Sequence, residues 1–267
     1  MLYNRNMKKK PLPIIIFLVA LLLVLTSCRA DSLFSVLEYN SPGQELTPGD
    51  SGSTPGSDTP ADSGNESGQY QFRLTDVPEW SGEPVAILNG NIPVFSEEEL
   101  NSDPFVSYSE LDELGRCGTA FACLSNSMRP GEDRGDISGI KPSGWHNSSY
   151  DFIDGKWLYN RCHLISFSLT GENDNERNLV TGTRYMNLEG MLPYEYDVTG
   201  YIAYTKNHVL YRSTPVFSGS ELVPRGVHLE AFSVEDHGSG VCFNIFCYNV
   251  QPGIEIDYRT GKSRVSS

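Results

Sequence analysis

The chain has 267 residues, 39% of them apolar, and carries a formal net charge of −14 at pH 7. That length is enough for one sizeable domain or two small ones. From Gln71 onward the sequence contains 15 Lys and Arg against 27 Asp and Glu, a balance of −12. Proteins that hold nucleic acid on an extended basic surface have the opposite sign. A nucleic-acid partner would therefore have to be bound through a local patch or a bound cation.

Residues 1–28 are predicted to be a lipoprotein signal peptide. Three lysines, Lys8 to Lys10, precede an apolar run of 12 residues from Ile14 to Leu25, which is too short to cross a bilayer comfortably. The run ends on Leu-Thr-Ser-Cys at Cys28, which resembles the bacterial lipobox and implies a lipid on that thiol. The alternative is an ordinary signal peptide followed by a fortuitous cysteine. We expect a mature protein on the extracellular face of the membrane, lipid-anchored, and its later release is left open.

Residues 29–69 are predicted to be a disordered linker. From Gly49 to Gly68 almost every residue is Gly, Ser, Thr, Pro, Asp or Asn. Such a segment cannot bury enough apolar surface to offset its ordering entropy. Residues 70–267 then form the folded domain.

The first elements of this domain read as strands. Pro84–Phe95 is predicted to be a hairpin with Asn89-Gly90 as its turn. Gly115–Ser125, rich in small and apolar residues, is predicted to be a buried strand, and Lys156–Ile165 a second one. The polar stretch Thr170–Thr183 is expected to be a loop.

A helical segment follows Thr183, and Pro193 should divide it into a short turn and a longer helix, because proline is tolerated at a first helical position. Three strands close the chain, His208–Phe217, Gly226–Val234 and Val241–Val250. The last is apolar nearly throughout and is expected to be the most central. The predicted class is α+β, with a mostly antiparallel sheet.

Five cysteines besides Cys28 remain, an odd number that cannot all pair internally. If Cys242 and Cys247 share a strand, their odd spacing turns them to opposite faces. No Cys-x-x-Cys pair or zinc-ligand spacing is present. Buried free thiols are the expected state for most of them.

The run Tyr-Asn-Arg-Cys-His-Leu-Ile at 159–165 places His163 in a predicted strand. A polar loop and a helix carrying Asn187 and, eight residues on, Glu195 complete the outline of a ββα-metal finger. With His208–Phe217 and Cys242–Tyr258, the sequence resembles the DNA/RNA non-specific endonucleases, especially the secreted Gram-positive type. The resemblance covers about Gly115 to Tyr258.

The family motif Asp-Arg-Gly-His reads Asn160-Arg161-Cys162-His163 here, so its first and third positions depart. Strand alternation should turn Cys162 to the face opposite His163, where the change is compatible with packing. Asn160 removes a charge, which puts the rate in question more than the reaction.

The resemblance implies four roles near the reacting phosphate. His163 would be the general base, for which an ordinary pKa near 6.5 is suitable. Asn187 would hold one Mg²⁺ (or Mn²⁺ as a substitute) through its carbonyl oxygen, Glu195 a water on that ion, and Asn178 the phosphate or a base. The structural alternatives are a packed histidine, turn-forming asparagines and an acidic residue favoured by a helix N-terminus.

Three arginines are candidates for substrate contact. Arg161 is expected either to contact phosphate or to make a structural ion pair, and Arg134 and Arg184 are candidate phosphate clamps, since an arginine fork suits phosphate. Trp145 and Trp157 could stack on bases, although core packing is the preferred interpretation.

The predicted function is a metal-dependent, non-specific endonuclease that cuts DNA, and RNA as well, because chemistry at the phosphate does not read the bases. No obligate protein partner is expected. One alternative is a catalytically weak surface lipoprotein that binds DNA for uptake, although intact His163 and Asn187 argue against it. Another is a phosphodiesterase that acts on a small or wall-associated substrate.

Overall fold

The computed structural model describes residues 70–100 and 103–267, so the signal peptide, Cys28 and the linker lie outside the described residues. Ten strands follow in chain order: β1 Val85–Ile87, β2 Phe105–Tyr108, β3 Ala120–Leu124, β4 Tyr159–His163, β5 Leu179–Thr183, β6 Val209–Val216, β7 Gly226–Ser233, β8 Cys242–Tyr248, β9 Ile254–Asp257 and β10 Lys262–Val265. The helices are α1 Glu97–Leu100, α2 Phe167–Thr170, a π-helix Met186–Met191 and α3 Leu192–Thr205. None of the described helices is both long and apolar enough to cross a membrane.

Six strands form the main sheet in the order β1-β8-β7-β6-β3-β2, and every pair is antiparallel. Strands β4 and β5 pair separately, as do β9 and β10. The α+β class is therefore confirmed. The expectation that β8 is the most central strand is wrong, because only the three-residue strand β1 lies beyond it. Its apolar sequence reflects the covering of both its faces.

The main core lies between one face of this sheet and the layer that contains β4, β5 and α3. Alternate residues of β7, Val227, Leu229 and Ala231, point into it, as the alternation predicted. Val198 and Ile202 of α3 meet them from the other side. Each fully buried side chain of this size stabilises the fold by about 1.5–3 kcal/mol. This packing fixes the layer that carries the candidate site.

The opposite face of the sheet is covered by the segment from residue 70 to residue 100. Phe72 stacks on His228 at 4.2 Å between ring centroids. Glu230 accepts a hydrogen bond from the Val94 amide at 2.8 Å and pairs with Arg212 at 3.3 Å. His228 and Glu230 are thus buried even though they lie opposite the apolar row of β7.

The hairpin predicted over Pro84–Phe95 does not form. Residues Asn89–Asn91 make a single 3₁₀ turn with positive φ at all three positions, and β1 pairs with β8 instead. The side-chain oxygen of Asn91 accepts a hydrogen bond from the backbone amide of Asn244 at 3.1 Å. The Asn-Gly pair does form a turn, as predicted, but the residues before it pair with β8 and not with the residues after it.

Four of the five described cysteines are buried, as expected, and Cys242 is partly exposed. Cys247 and Phe243 point into the main core while Phe246 packs on the other face. The thiols act as small apolar side chains.

Candidate active site

Strands β4 and β5 form the two-stranded unit that holds the candidate site, with His163 opposite Leu179 and Tyr159 opposite Thr183. The sequence analysis placed Leu179–Thr183 in a polar loop, and that was wrong. All five residues are buried, so the segment lacks the alternation of a half-exposed strand. A side chain at Gly182 would collide with the Cys162 sulfur. Glycine therefore allows the two strands to pack closely.

Alternation along β4 separates core from site, as predicted. Cys162 is fully buried and packs in the main core, whereas His163 points to the opposite side. His163 is only 7% exposed. The predicted strand was Lys156–Ile165, and the regular strand is shorter, Tyr159–His163. A histidine in this strand is thus nearly enclosed but reaches an open cavity.

Both ring nitrogens of His163 have polar neighbours. Nε2 lies 2.9 Å from the backbone oxygen of Asn173, and Nδ1 lies 3.3 Å from Nη2 of Arg134. A carbonyl oxygen can only accept, so Nε2 donates its hydrogen to Asn173. In the neutral ring Nδ1 is therefore the unprotonated nitrogen, and it accepts from Arg134.

The pKa of His163 is lowered to about 4, mainly by burial; the hydrogen bond to the Asn173 carbonyl opposes this shift, and the nearby Arg134 guanidinium adds to it. Desolvation disfavours the charged imidazolium, which is why the direction is downward. His163 is consequently neutral at pH 7, with a lone pair on Nδ1.

The π-helix Met186–Met191 follows β5 directly and brings Asn187 beside the histidine. Thr183 Oγ1 accepts from the Met186 amide at 3.0 Å and so anchors the start of this turn. The Asn187 backbone oxygen accepts from Leu192 at the junction with α3. The Asn187 side chain has no hydrogen-bond partner among the residues that the structure describes. Its amide is therefore free to take a ligand.

Glu195 lies in the first turn of α3, which has its proline at the helix start as predicted. The side chain is 8% exposed, and burial raises its pKa to about 7, against the lowering effects of the Ser166 hydroxyl and Arg134. The predicted two-turn spacing from Asn187 is met by a π-helical turn followed by an α-helical one. The junction places both side chains on the same cavity.

That cavity has a volume of about 680 Å³. Its walls come from β4, the π-helix, α3 and the loops before β4. It is lined by Arg134, Ile137, Trp145, Asn147, Trp157, Tyr159, Asn160, Arg161, His163, Ser166, Phe167, Arg184, Asn187, Leu192 and Glu195. A neutral histidine, an unpartnered amide, a buried carboxyl group and arginines share one solvent-accessible space. Such a set can hold a phosphate, a cation and a water together.

Comparison with known proteins identifies this arrangement. A family model for the DNA/RNA non-specific endonuclease matches residues 97–234, which is more than half of the chain. This chain belongs to the DNA/RNA non-specific endonuclease family. It is accordingly a nuclease, a hydrolase.

Solved structures of nucleases have the same fold. NucA from Streptococcus agalactiae with magnesium ion bound is 28% identical with a TM-score of 0.62, covering 68% of this chain and 87% of that one. NucA with no metal bound is 26% identical with a TM-score of 0.63, covering 72% and 92%. The Sda1 nuclease with bound zinc ion is 30% identical with a TM-score of 0.53, covering 61% and 81%.

The three candidate arginines of this nuclease differ in their engagement. Arg184 pairs with Asp154 at 2.8 Å. Within the described residues Arg161 makes no ion pair; it donates to the Ser138 and Ile140 carbonyls and lies over the Trp145 ring, 4.3 Å from its centroid. The Arg134 guanidinium has one hydrogen-bond partner in the same part of the chain, the His163 ring. Arg134 is thus the cavity arginine whose guanidinium is least committed to the protein.

Asn178 does not lie where the sequence analysis expected a residue that contacts phosphate or base. It is fully buried and does not line the cavity. Its amide accepts from the Ile165 backbone nitrogen at 2.8 Å and donates to the Ile165 oxygen at 3.0 Å. These bonds occupy both ends of the amide, so Asn178 braces the chain just after His163 and cannot touch substrate.

One contribution was missed by reading the sequence, because Asn173 bonds His163 through a backbone oxygen, which no residue type reveals. For Trp157 the sequence analysis preferred core packing over base stacking, but the side chain is 55% exposed on the cavity rim. Its position two residues before a strand that alternates toward the site was the available signal.

Proposed function

We propose that this nuclease is a metal-dependent, sugar-non-specific endonuclease in which His163 is the general base and Asn187 holds one Mg²⁺. The observation that carries the proposal is the neutral His163, whose unprotonated Nδ1 faces a cavity shared with Asn187 and Glu195. A general base must be unprotonated at working pH and within reach of a water. The low pKa of His163 supports the first condition, and the second requires Arg134 to move away from Nδ1.

In the proposed reaction His163 takes a proton from a water at Nδ1 as that water attacks phosphorus. The positive charge then on the ring is stabilised by the Asn173 carbonyl, which already accepts from Nε2. Arg134 occupies Nδ1 before substrate is present. A phosphate attracts the guanidinium more strongly than a neutral imidazole does, so substrate binding would draw Arg134 away and free the base.

The donor set fits a hard divalent cation. Asn187 offers an unpartnered amide oxygen and Glu195 a carboxylate on the same cavity wall, and oxygen donors suit Mg²⁺. Among the described residues no group of three or more His, Cys, Asp or Glu could hold a metal ion, so water would complete the coordination, with Glu195 oriented toward that hydration shell. When bound, the ion stabilises charge on the phosphate and on the leaving 3′ oxygen. NucA with magnesium and Sda1 with zinc support a divalent cation, and Mn²⁺ is a reasonable substitute.

The proposed substrates are DNA and RNA, cleaved to 5′-phosphate products. The charged groups of the cavity can bind a phosphate and the cation but carry no pattern for a base edge. The sugar's 2′ position plays no part in attack by water on phosphorus. Cleavage should therefore depend little on sequence.

We further propose that the enzyme acts at the extracellular face of the membrane through a lipid on Cys28. The proposal rests on the apolar run and the Leu-Thr-Ser-Cys sequence. Membrane fractionation and mass spectrometry of the N-terminal peptide would test it. We expect a lipid-modified Cys28 in the membrane fraction, and a Cys28→Ser chain without it; an unmodified cysteine would contradict the anchor.

Plasmid nicking tests the nuclease proposal. We would compare the purified full chain, His163→Ala and Asn187→Ala, each with Mg²⁺ and with a chelator. The wild type should degrade plasmid only with metal, and both variants should lose most activity. If the wild type cleaves nothing but still shifts DNA with metal, the alternative of a surface DNA-binding lipoprotein is correct. Cleavage of small diesters in preference to plasmid would favour the small-substrate phosphodiesterase.

A further inference from the structure

Trp157 is an exposed aromatic side chain on the rim of the active-site cavity. It is 55% exposed, and no ring or cation packs on its indole within the described residues. Trp145, by contrast, lies in the same cavity but its face is covered by Arg161 at 4.3 Å. Other aromatic side chains are as exposed, but Trp157 combines this exposure with a place on the cavity. Its open ring face is therefore available to stack on a ligand that enters the cavity.

The backbone around Trp157 is firmly held. Trp157 forms an antiparallel bridge with Ser149. The Leu158 amide donates to Ser148 at 3.0 Å, and the Asn147 side chain bonds both backbone groups of Tyr159, at 2.9 and 3.0 Å. The indole is therefore presented by a rigid segment, which reduces the entropy lost when a ligand binds.

Trp157, Arg161 and His163 line the same cavity. Arg161 and His163 lie two apart on β4 and so point to the same face, whereas Trp157 precedes this strand and is separated from it by a bend at Leu158. Trp157 lies six positions before His163, which corresponds to at most about 20 Å at ~3.3 Å per residue. A stacked strand rises ~3.4 Å per nucleotide, so at most about six nucleotides span that distance.

We propose that Trp157 is a stacking platform for an unpaired base a few nucleotides from the scissile phosphate, and that the enzyme consequently prefers single-stranded nucleic acid. The inference rests on the proposed nuclease function. Bases of a duplex are already stacked and paired, so their faces are closed to the indole. With a domain balance of −12, and with Arg184 already paired to Asp154, phosphate contacts alone supply little affinity. Base stacking on an aromatic ring supplies it without charge.

The test compares kcat/KM on a 12-nucleotide single strand and on its duplex at one salt concentration. The wild type should favour the single strand by about 5- to 150-fold, the range expected for one stacked base. Trp157→Ala should lose that preference, mainly through KM, and Trp157→Phe should recover much of it. Phe152→Ala is the matched control, because Phe152 is 58% exposed in the same loop but does not line the cavity. Equal losses on both substrates, or no loss on the single strand, overturn the inference.

A second measurement separates this inference from the nuclease proposal. A strand containing 2-aminopurine is titrated with the inactive full-chain variant His163→Ala and with the double variant that also carries Trp157→Ala. If Trp157 stacks on the base, His163→Ala should quench the 2-aminopurine fluorescence and the double variant should quench it little. Equal quenching by the two variants would overturn the inference. The dependence of binding on salt should be the same in both, because the indole releases no counterions. If the wild type cuts neither substrate, the nuclease proposal fails, and this titration still decides the stacking.

Discussion

Two histidines of this nuclease are almost equally buried, yet only one is placed for chemistry. His163, on β4, is 7% exposed and His228, on β7, is 6% exposed. Burial lowers the pKa of both. His228 is stacked under Phe72 and bonded through Nε2 to Asn244 at 2.7 Å, whereas His163 keeps Nδ1 on an open cavity. A lowered pKa thus reports enclosure, and access of the lone pair distinguishes a base from a packed ring.

Replacing each histidine should give the largest difference between the two regions. We expect His163→Ala to lower kcat by about 10²- to 10⁴-fold, the usual contribution of a general base. Its loss of unfolding free energy should be smaller than that of His228→Ala, because the bond to the Asn173 carbonyl is only partly buried and water can replace it. His228→Ala should do the reverse, leaving kcat within a few-fold of the wild type and reducing stability, because Asn244 loses a buried partner. Plasmid-cleavage rates and urea denaturation measure the two effects. Comparable loss of kcat in both variants would argue that His163 acts only through structure.

Two buried glutamates provide a second comparison between the active site and the main sheet, because Glu195 lines the cavity and Glu230 lies on β7. Glu230 is paired with Arg212 and the Val94 amide. Glu195 has no ion pair with any residue that the structure describes, and burial raises its pKa from 4.5 to about 7. A carboxyl group with a raised folded pKa favours the folded state at low pH, and this contribution is lost as pH rises from 4.5 through 7. Without divalent cation at pH 8, Glu195→Gln should therefore increase the unfolding free energy by up to about 3 kcal/mol.

Urea denaturation of Glu195→Gln at pH 8 and near pH 4.5, in chelator, measures this difference. The gain should vanish at the lower pH, and Mg²⁺ should stabilise the wild type more than the variant. Glu230→Gln is the control and should lose stability at both pH values, because Arg212 loses one of its two carboxylate partners and keeps only Glu99. A Glu195→Gln variant that is less stable at pH 8 would show that the carboxylate is satisfied inside the protein.

Asn178 and Asn187 test whether position or residue type confers a role. Asn178→Ala leaves the buried nitrogen and oxygen of Ile165 without partners, and each such group costs about 1–3 kcal/mol. Asn187→Ala removes no hydrogen bond of its side chain within the described residues and should leave stability nearly unchanged. Instead it should weaken Mg²⁺ activation of cleavage. Thermal melts measure the stability of the two variants, and Mg²⁺ titrations measure the activation of cleavage. Unaltered activation by Mg²⁺ in Asn187→Ala would contradict the expectation for Asn187.

Resemblance to the family motif grouped His163, Asn187 and Glu195, and the structure places all three on one cavity. The sheet around them was predicted less well. The pairing of β1 with β8 and the coverage of His228 depend on contacts between residues about 150 apart, which local patterns do not encode. Asn178 was misread for a related reason, since an amide that braces Ile165 and one that binds phosphate have the same letter. The strand Leu179–Thr183 was hidden because both its faces are buried.

The smallest expected effect concerns the pH profile and connects His163 to Arg134. Because burial and Arg134 hold the pKa of His163 at about 4, the base stays unprotonated through weak acid. At saturating Mg²⁺, kcat/KM should fall only as pH drops toward 4, well below the 6.5 of an ordinary histidine. Arg134→Ala removes a positive charge beside the ring, so the pKa of His163 should rise and the acid limb should move to higher pH.

The same Arg134→Ala variant should also raise KM, because the arginine would contact phosphate. The magnitude of the slope of log K for nucleic-acid binding against log salt concentration should fall by about 1. Arg184→Ala, which loses an exposed ion pair with Asp154, should leave the acid limb where it is and serves as the control. The limb should persist in Glu195→Gln, since it belongs to the histidine. An acid limb near pH 6.5 in the wild type would mean that the ring is more hydrated in solution than its 7% exposure indicates. His163 would then work as an ordinary histidine base, and the contrast with His228 would rest on access to the cavity alone.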